Sequence, residues 1–183
     1  MIYPILDLRL VSLIAGIFLI LTHGFALLRS GPVQKWLRKF PRSRTIGAAL
    51  LIIDAVWALI LITTMDLGEF SHLRMGLLLT IIVGTFLTFR YVDEFLAVRA
   101  LGILLLLIAE PLVEAAFMRP EAGRLLLVAW AYVLAILGMT WVGLPYLLRD
   151  WIDLARKSKA IWITAATAGI LYGGLLAVFG LMR

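Results

Sequence analysis

Residues 94–118 read EFLAVRALGILLLLIAEPLVEAAFM. The run is long and apolar enough for a helix to cross a bilayer, which takes about 18 residues or more. Two carboxylates, Glu110 and Glu114, sit near its end, and Pro111 directly follows the first. A helix turns about 100° per residue, so the two carboxylates point much the same way. Arg99 falls within roughly 20° of that direction, about 16 Å away along the axis. Gly102, Ile103 and Leu106 fill the stripe between them. Pro111 removes an amide donor, which predicts a discontinuity and a Leu107 carbonyl without its usual partner. A free carbonyl beside a carboxylate suits a proton, a water or a cation. A charge at mid-bilayer costs about 2.5–3.5 kcal/mol, so such residues face a partner or a hydrated cavity. The same carboxylate also suits a structural role, neutral or paired, that fixes how helices pack.

The remainder of the chain predicts more helices of the same kind. Of its 183 residues, 63% are hydrophobic, against about 45–50% in a soluble domain. Mean hydropathy is +1.06. The expectation is an all-α, polytopic membrane bundle in one integral membrane domain, with no separate soluble part. The predicted spans are residues 8–28, 45–64, 75–89, 94–118, 124–144 and 160–181. The first apolar run is too long for a signal peptide, lacks a basic leader and already carries Asp7 and Arg9, so it reads as a retained helix. Cysteine is absent, which excludes disulfides, thiolate metal sites and thiol redox chemistry.

Two short segments are amphipathic. In VQKWLRKF, Val33, Trp36, Leu37 and Phe40 form one face, opposite Gln34, Lys35, Arg38 and Lys39. After Pro145, Leu147, Leu148, Trp151, Ile152 and Ala155 oppose Arg149, Asp150, Asp153, Arg156 and Lys157. Both predict helices lying at the cytoplasmic membrane interface. Residues 63–74, with Asp66, Gly68, Glu69 and His72, read as a loop. The connection RYVDEFLAVR has neither Gly nor Pro to place its turn, and Arg90, Asp93, Glu94 and Arg99 mark it as interfacial.

Charge asymmetry gives an orientation. The connections after the first, third and fifth spans hold twelve Lys and Arg residues, and the other side holds five. By the positive-inside rule the basic loops lie in the cytoplasm and both termini outside, as in a bacterial inner membrane. The same rule accounts for the net charge of +6 without nucleic acid as a partner. Lys35, Arg38, Lys39, Arg42, Arg44, Arg156, Lys157 and Lys159 are the candidates for contact with anionic lipid headgroups, at about 1 kcal/mol each near the surface.

Small residues recur every four positions in two spans. Gly76, Thr80, Gly84 and Thr88 form one ridge; Ala165, Gly169, Gly173 and Ala177 form another. Such ridges admit a second helix closely, within the bundle or between subunits. QKWLRKFPRSRTI and RDWIDLARKSKAI align without gaps, with Arg42-Ser43-Arg44 against Lys157-Ser158-Lys159. This echo fits a parallel repeat, and equally the convergence of two basic loops on one composition.

No chemical motif stands out. His23 and His72 fall near opposite faces, so no haem or metal pair is expected within one subunit. HExxH, GxSxG and the phosphate-binding GxxxxGK[ST] pattern are absent. The chain is therefore expected to be neither an enzyme nor a cofactor protein. The leading expectation is a small channel or transporter for protons, cations or a small solute. Asp54, the most deeply placed charge, and Glu110 would be its sites, with Glu114 and Arg99 on the same stripe. The alternative is a structural or assembly subunit, as a homo-oligomer or within a membrane complex. A third reading, a lipid-binding or lipid-modifying protein, rests on the basic amphipathic loops.

Overall fold

The computed structural model describes residues 6–92, 94–121 and 123–182. Asp93 lies outside the described residues. Eight α-helices follow in order: α1 (Leu8–Leu28), α2 (Ser30–Lys39), α3 (Arg44–Thr64), α4 (Arg74–Tyr91), α5 (Leu96–Ala116), α6 (Arg124–Gly143), α7 (Tyr146–Lys157) and α8 (Lys159–Leu181). No strand occurs among the described residues. Six of the helices, α1, α3, α4, α5, α6 and α8, are long and apolar enough to cross a membrane. Short 3-10 turns occupy Phe40–Arg42 and Gly68–Leu73, the second inside the segment expected to be a loop.

Side-chain caps explain several helix starts. Asp7 accepts from the Arg9 amide at 3.5 Å at the head of α1. Ser43 accepts from the Ile46 amide at 3.3 Å, and Ser158 from the Ile161 amide at 3.3 Å. Each serine satisfies an amide that an unfinished helix end leaves open. The aligned Arg-Ser-Arg and Lys-Ser-Lys triplets are thus two copies of one cap, with basic residues on either side. Between α4 and α5 the chain turns without glycine by placing Phe95 at φ 57°, a left-handed conformation unusual for an aromatic residue. α5 begins and ends two residues inside the expected span, at Leu96 and Ala116, and it continues as a helix through Pro111.

The long helices alternate in direction. α2, α7 and the turn from α4 to α5 therefore lie at one end, here the basic end, and the start of α1 and the end of α8 at the other. α5 is central, packing on α3 and α6 and lightly on α1. The main core, at the terminal end, joins Leu8, Val11 and Leu19 of α1, Ala109, Leu112, Ala115 and Ala116 of α5, Leu127, Ala131 and Leu134 of α6, and Leu176 of α8. A smaller core at the basic end joins Leu51 to Leu96 and Ala100.

Glycines set the closest approaches. A Cβ on Gly16 would lie 2.5 Å from the Gly173 carbonyl oxygen, and one on Gly173 would lie 2.8 Å from that of Gly16. Gly47 comes similarly close to the Ala97 amide of α5. The ridge on α8 therefore packs within the chain, against α1. Gly169 abuts the His23 ring, and Ala177 abuts Gly16. Ala165 departs from the expected ridge: it is exposed, while its neighbour Ala166 is buried.

α4 is the outlying helix. It packs on α3 and has no buried residue. A Cβ on Gly76 or Gly84 would meet nothing within 4 Å. α3 buries only Gly47, Leu51 and Asp54, all in its first three turns, so its second half stands away from α5.

Candidate functional site: carboxyl groups within the long helices

Asp54 lies on the α5-facing side of α3, in helical register with Gly47 and Leu51. It is only 3% exposed, and neither carboxylate oxygen has a hydrogen-bond partner among the described residues. Stepping seven residues along both parallel helices from the Gly47–Ala97 contact puts it about level with Leu104. A carboxyl buried without a partner forfeits its hydration and gains nothing back.

Glu110 and Glu114 occupy a different place. They line a groove of about 580 Å³ between α5 and α6, open to the side. Ala109, Ala131 and Ala135 make its floor, while Val113, Phe117 and Tyr132 stand as walls. The two carboxyl groups lie within hydrogen-bonding reach of each other. The buried Glu110 Oε2 has no partner among the described residues. Asp54 lines no part of this groove.

Arg99 does not join them. Its Nη1 donates to the Val142 carbonyl at 2.8 Å, at the C-terminal end of α6. A cation there satisfies a carbonyl the helix leaves open and complements the helix dipole. The stripe of Arg99, Glu110 and Glu114 is real as an angular alignment, but its members serve opposite ends of the α5–α6 pair. Pro111 sits beside Glu110 inside a helix that stays continuous.

The basic residues also separate by surroundings. Arg44 stacks on Phe89 at 5.5 Å and donates to its carbonyl at 3.4 Å. Arg156 pairs with Asp153 at 3.4 Å. Lys35, Lys39, Lys157 and Lys159 are exposed. Arg38 and Arg42 line a cleft between α2 and α7 together with Arg149, which the charge pattern alone did not single out. The histidines serve local roles: a ring nitrogen of His23 pairs with the Leu19 carbonyl, and one of His72 with that of Glu69. No group of three or more metal-ligating side chains occurs among the described residues. Comparison with known proteins finds no matching family model, curated protein or solved structure.

Proposed function

We propose that the chain is a self-assembling integral membrane subunit, in which α4 of one copy enters the α5–α6 groove of the next. The groove itself carries the proposal. It is laterally open, floored by alanines, and walled on one side by two carboxyl groups, one with a buried oxygen lacking a partner. In lipid such a slot favours a helix with small residues and hydrogen-bond donors.

The α4 ridge has that chemistry. Gly76 and Thr80 are exposed, and a Cβ on Gly76 or Gly84 would meet nothing within 4 Å, so this edge of α4 is open to a second helix. Depths agree as well. Glu110 is six residues before the end of α5, and Thr80 six residues after the start of α4, at the same end of the bundle. The Thr80 hydroxyl now donates back to the Gly76 carbonyl at 2.8 Å. Turned outward, it becomes a donor for the Oε2 of Glu110. Groove and ridge are different surfaces, so the contact is heterologous and closes a ring or extends as a row. The twelve-to-five Lys and Arg asymmetry supports a basic end in the cytoplasm.

Particle mass in native-lipid discs tests this reading. The wild-type chain should run as an oligomer. Gly84→Leu and Ala135→Leu, each filling one side of the contact, should give folded monomers. A monomeric wild-type chain would exclude it.

A second reading, proton or cation movement, is favoured by Asp54. An acid buried near mid-helix is costly and marks an ion path more often than a packing contact. Liposome flux that Asp54→Asn and Glu110→Gln each abolish, with folding intact, would establish it.

A further inference from the structure

The cleft between α2 and α7 is built separately from the carboxyl groove and lies at the other end of the bundle. It encloses about 170 Å³, below the roughly 300–1,000 Å³ of a pocket for a whole small molecule. Its floor is the buried pair Pro41 and Ile152. Arg38, Arg42 and Arg149 stand around it with a single carboxylate, Asp153. That carboxylate already has a partner in Arg156. Arg149 is braced from two sides, by Asp150 at 2.8 Å and by the Phe95 ring at 5.8 Å. Arg38 and Arg42 make no hydrogen bond or ion pair among the described residues.

The geometry points to a binding site for one phosphate group, supplied by the headgroup of an anionic phospholipid. The two open guanidinium forks of Arg38 and Arg42, with Arg149 held alongside by Asp150, match the planar, bidentate bonding that phosphate oxygens accept. The surroundings favour lipid over a soluble phosphate. Trp36 on α2 and Trp151 and Leu154 on α7 are large apolar side chains left exposed on the two helices that frame the cleft, on faces turned away from its arginines. Tryptophan settles at headgroup depth. A headgroup seated in the cleft would lie at the depth at which these side chains hold α2 and α7 in the interface. Asp153 adds an acceptor for a headgroup hydroxyl or ammonium.

The test must separate a built site from diffuse attraction. Removing any two surface charges weakens binding to an anionic membrane, by about thirty-fold on general grounds. Replacing Arg38 and Arg42 together by lysine keeps the charge and removes the forks. Lipid retained on the purified protein, from vesicles of equal phosphatidylglycerol and phosphatidylcholine, can be counted by native mass spectrometry. The expected result is at least a tenfold drop in tightly held phosphatidylglycerol for Arg38→Lys with Arg42→Lys. Lys35→Arg with Lys39→Arg, outside the cleft, should change it less than twofold. Equal retention in both variants would overturn the site and leave only diffuse attraction. Inorganic phosphate that displaces the lipid and binds with the same arginine dependence would overturn the lipid assignment in favour of a soluble phosphate compound.

Discussion

Gly102 of α5 and Gly138 of α6 face each other across the closest point of the central pair. A Cβ on Gly138 would lie 2.7 Å from the Gly102 carbonyl oxygen, and one on Gly102 would lie 2.8 Å from that of Gly138. Neither helix can gain a methyl group without moving the other. Because α5 carries α3 on its other side, the contact also sets where the α3–α4 hairpin stands. Gly138→Ala is expected to lose about 1–3 kcal/mol of stability by overpacking. Gly174→Ala, on α8 with nothing within 4 Å, should be neutral or gain up to about 1 kcal/mol from helix propensity. Thermal unfolding in one detergent compares the two directly, and equal melting temperatures would contradict the contact.

Asp54 should be a burden on stability. Its two oxygens are buried without partners among the described residues, a cost of about 1–3 kcal/mol per unsatisfied group. Asp54→Val is therefore expected to raise the melting temperature. A lower one would mean that the carboxyl meets a partner in the working protein.

The proposed topology rests on charge, and it can be read because the chain has no cysteine of its own. Lys35→Cys and Lys157→Cys, on α2 and α7, should resist an impermeant thiol reagent in intact cells. Ser71→Cys, in the turn before α4, should react. Labelling of Lys35→Cys from outside would reverse the orientation.

The long helices were legible because length and apolar composition report them directly, and because Ser43 and Ser158 mark two starts by their capping chemistry. What each charged side chain does was less legible. Angular periodicity put Arg99 on the stripe of Glu110 and Glu114, yet it says nothing of which neighbouring helix end comes within reach. The Val142 carbonyl decides the role of Arg99, and only the register of α5 on α6 reveals it. Glycines told the same story. Gly169 and Gly173 stood out through their regular spacing, with Ala165 misplaced by one position from Ala166. Gly16, Gly47, Gly102 and Gly138 act singly, each against one point on another helix, and carry no periodic signal. The Glu110 groove needed both α5 and α6, since its alanine floor comes from each.

Self-assembly through the groove is tested most directly by cross-linking between copies that each carry one cysteine. Val113 stands exposed on the groove wall, and Thr80 is exposed on the α4 ridge. Co-expressed Thr80→Cys and Val113→Cys chains, oxidised in the native membrane, should form a covalent dimer. Thr80→Cys paired with Val133→Cys should not, because Val133 is exposed on α6 roughly 150° around the helix from the groove floor. A Thr80–Val113 dimer well above that control is the predicted result. A yield no higher than the Val133 control would contradict the account, because it would mean that the groove does not receive α4 of a second copy.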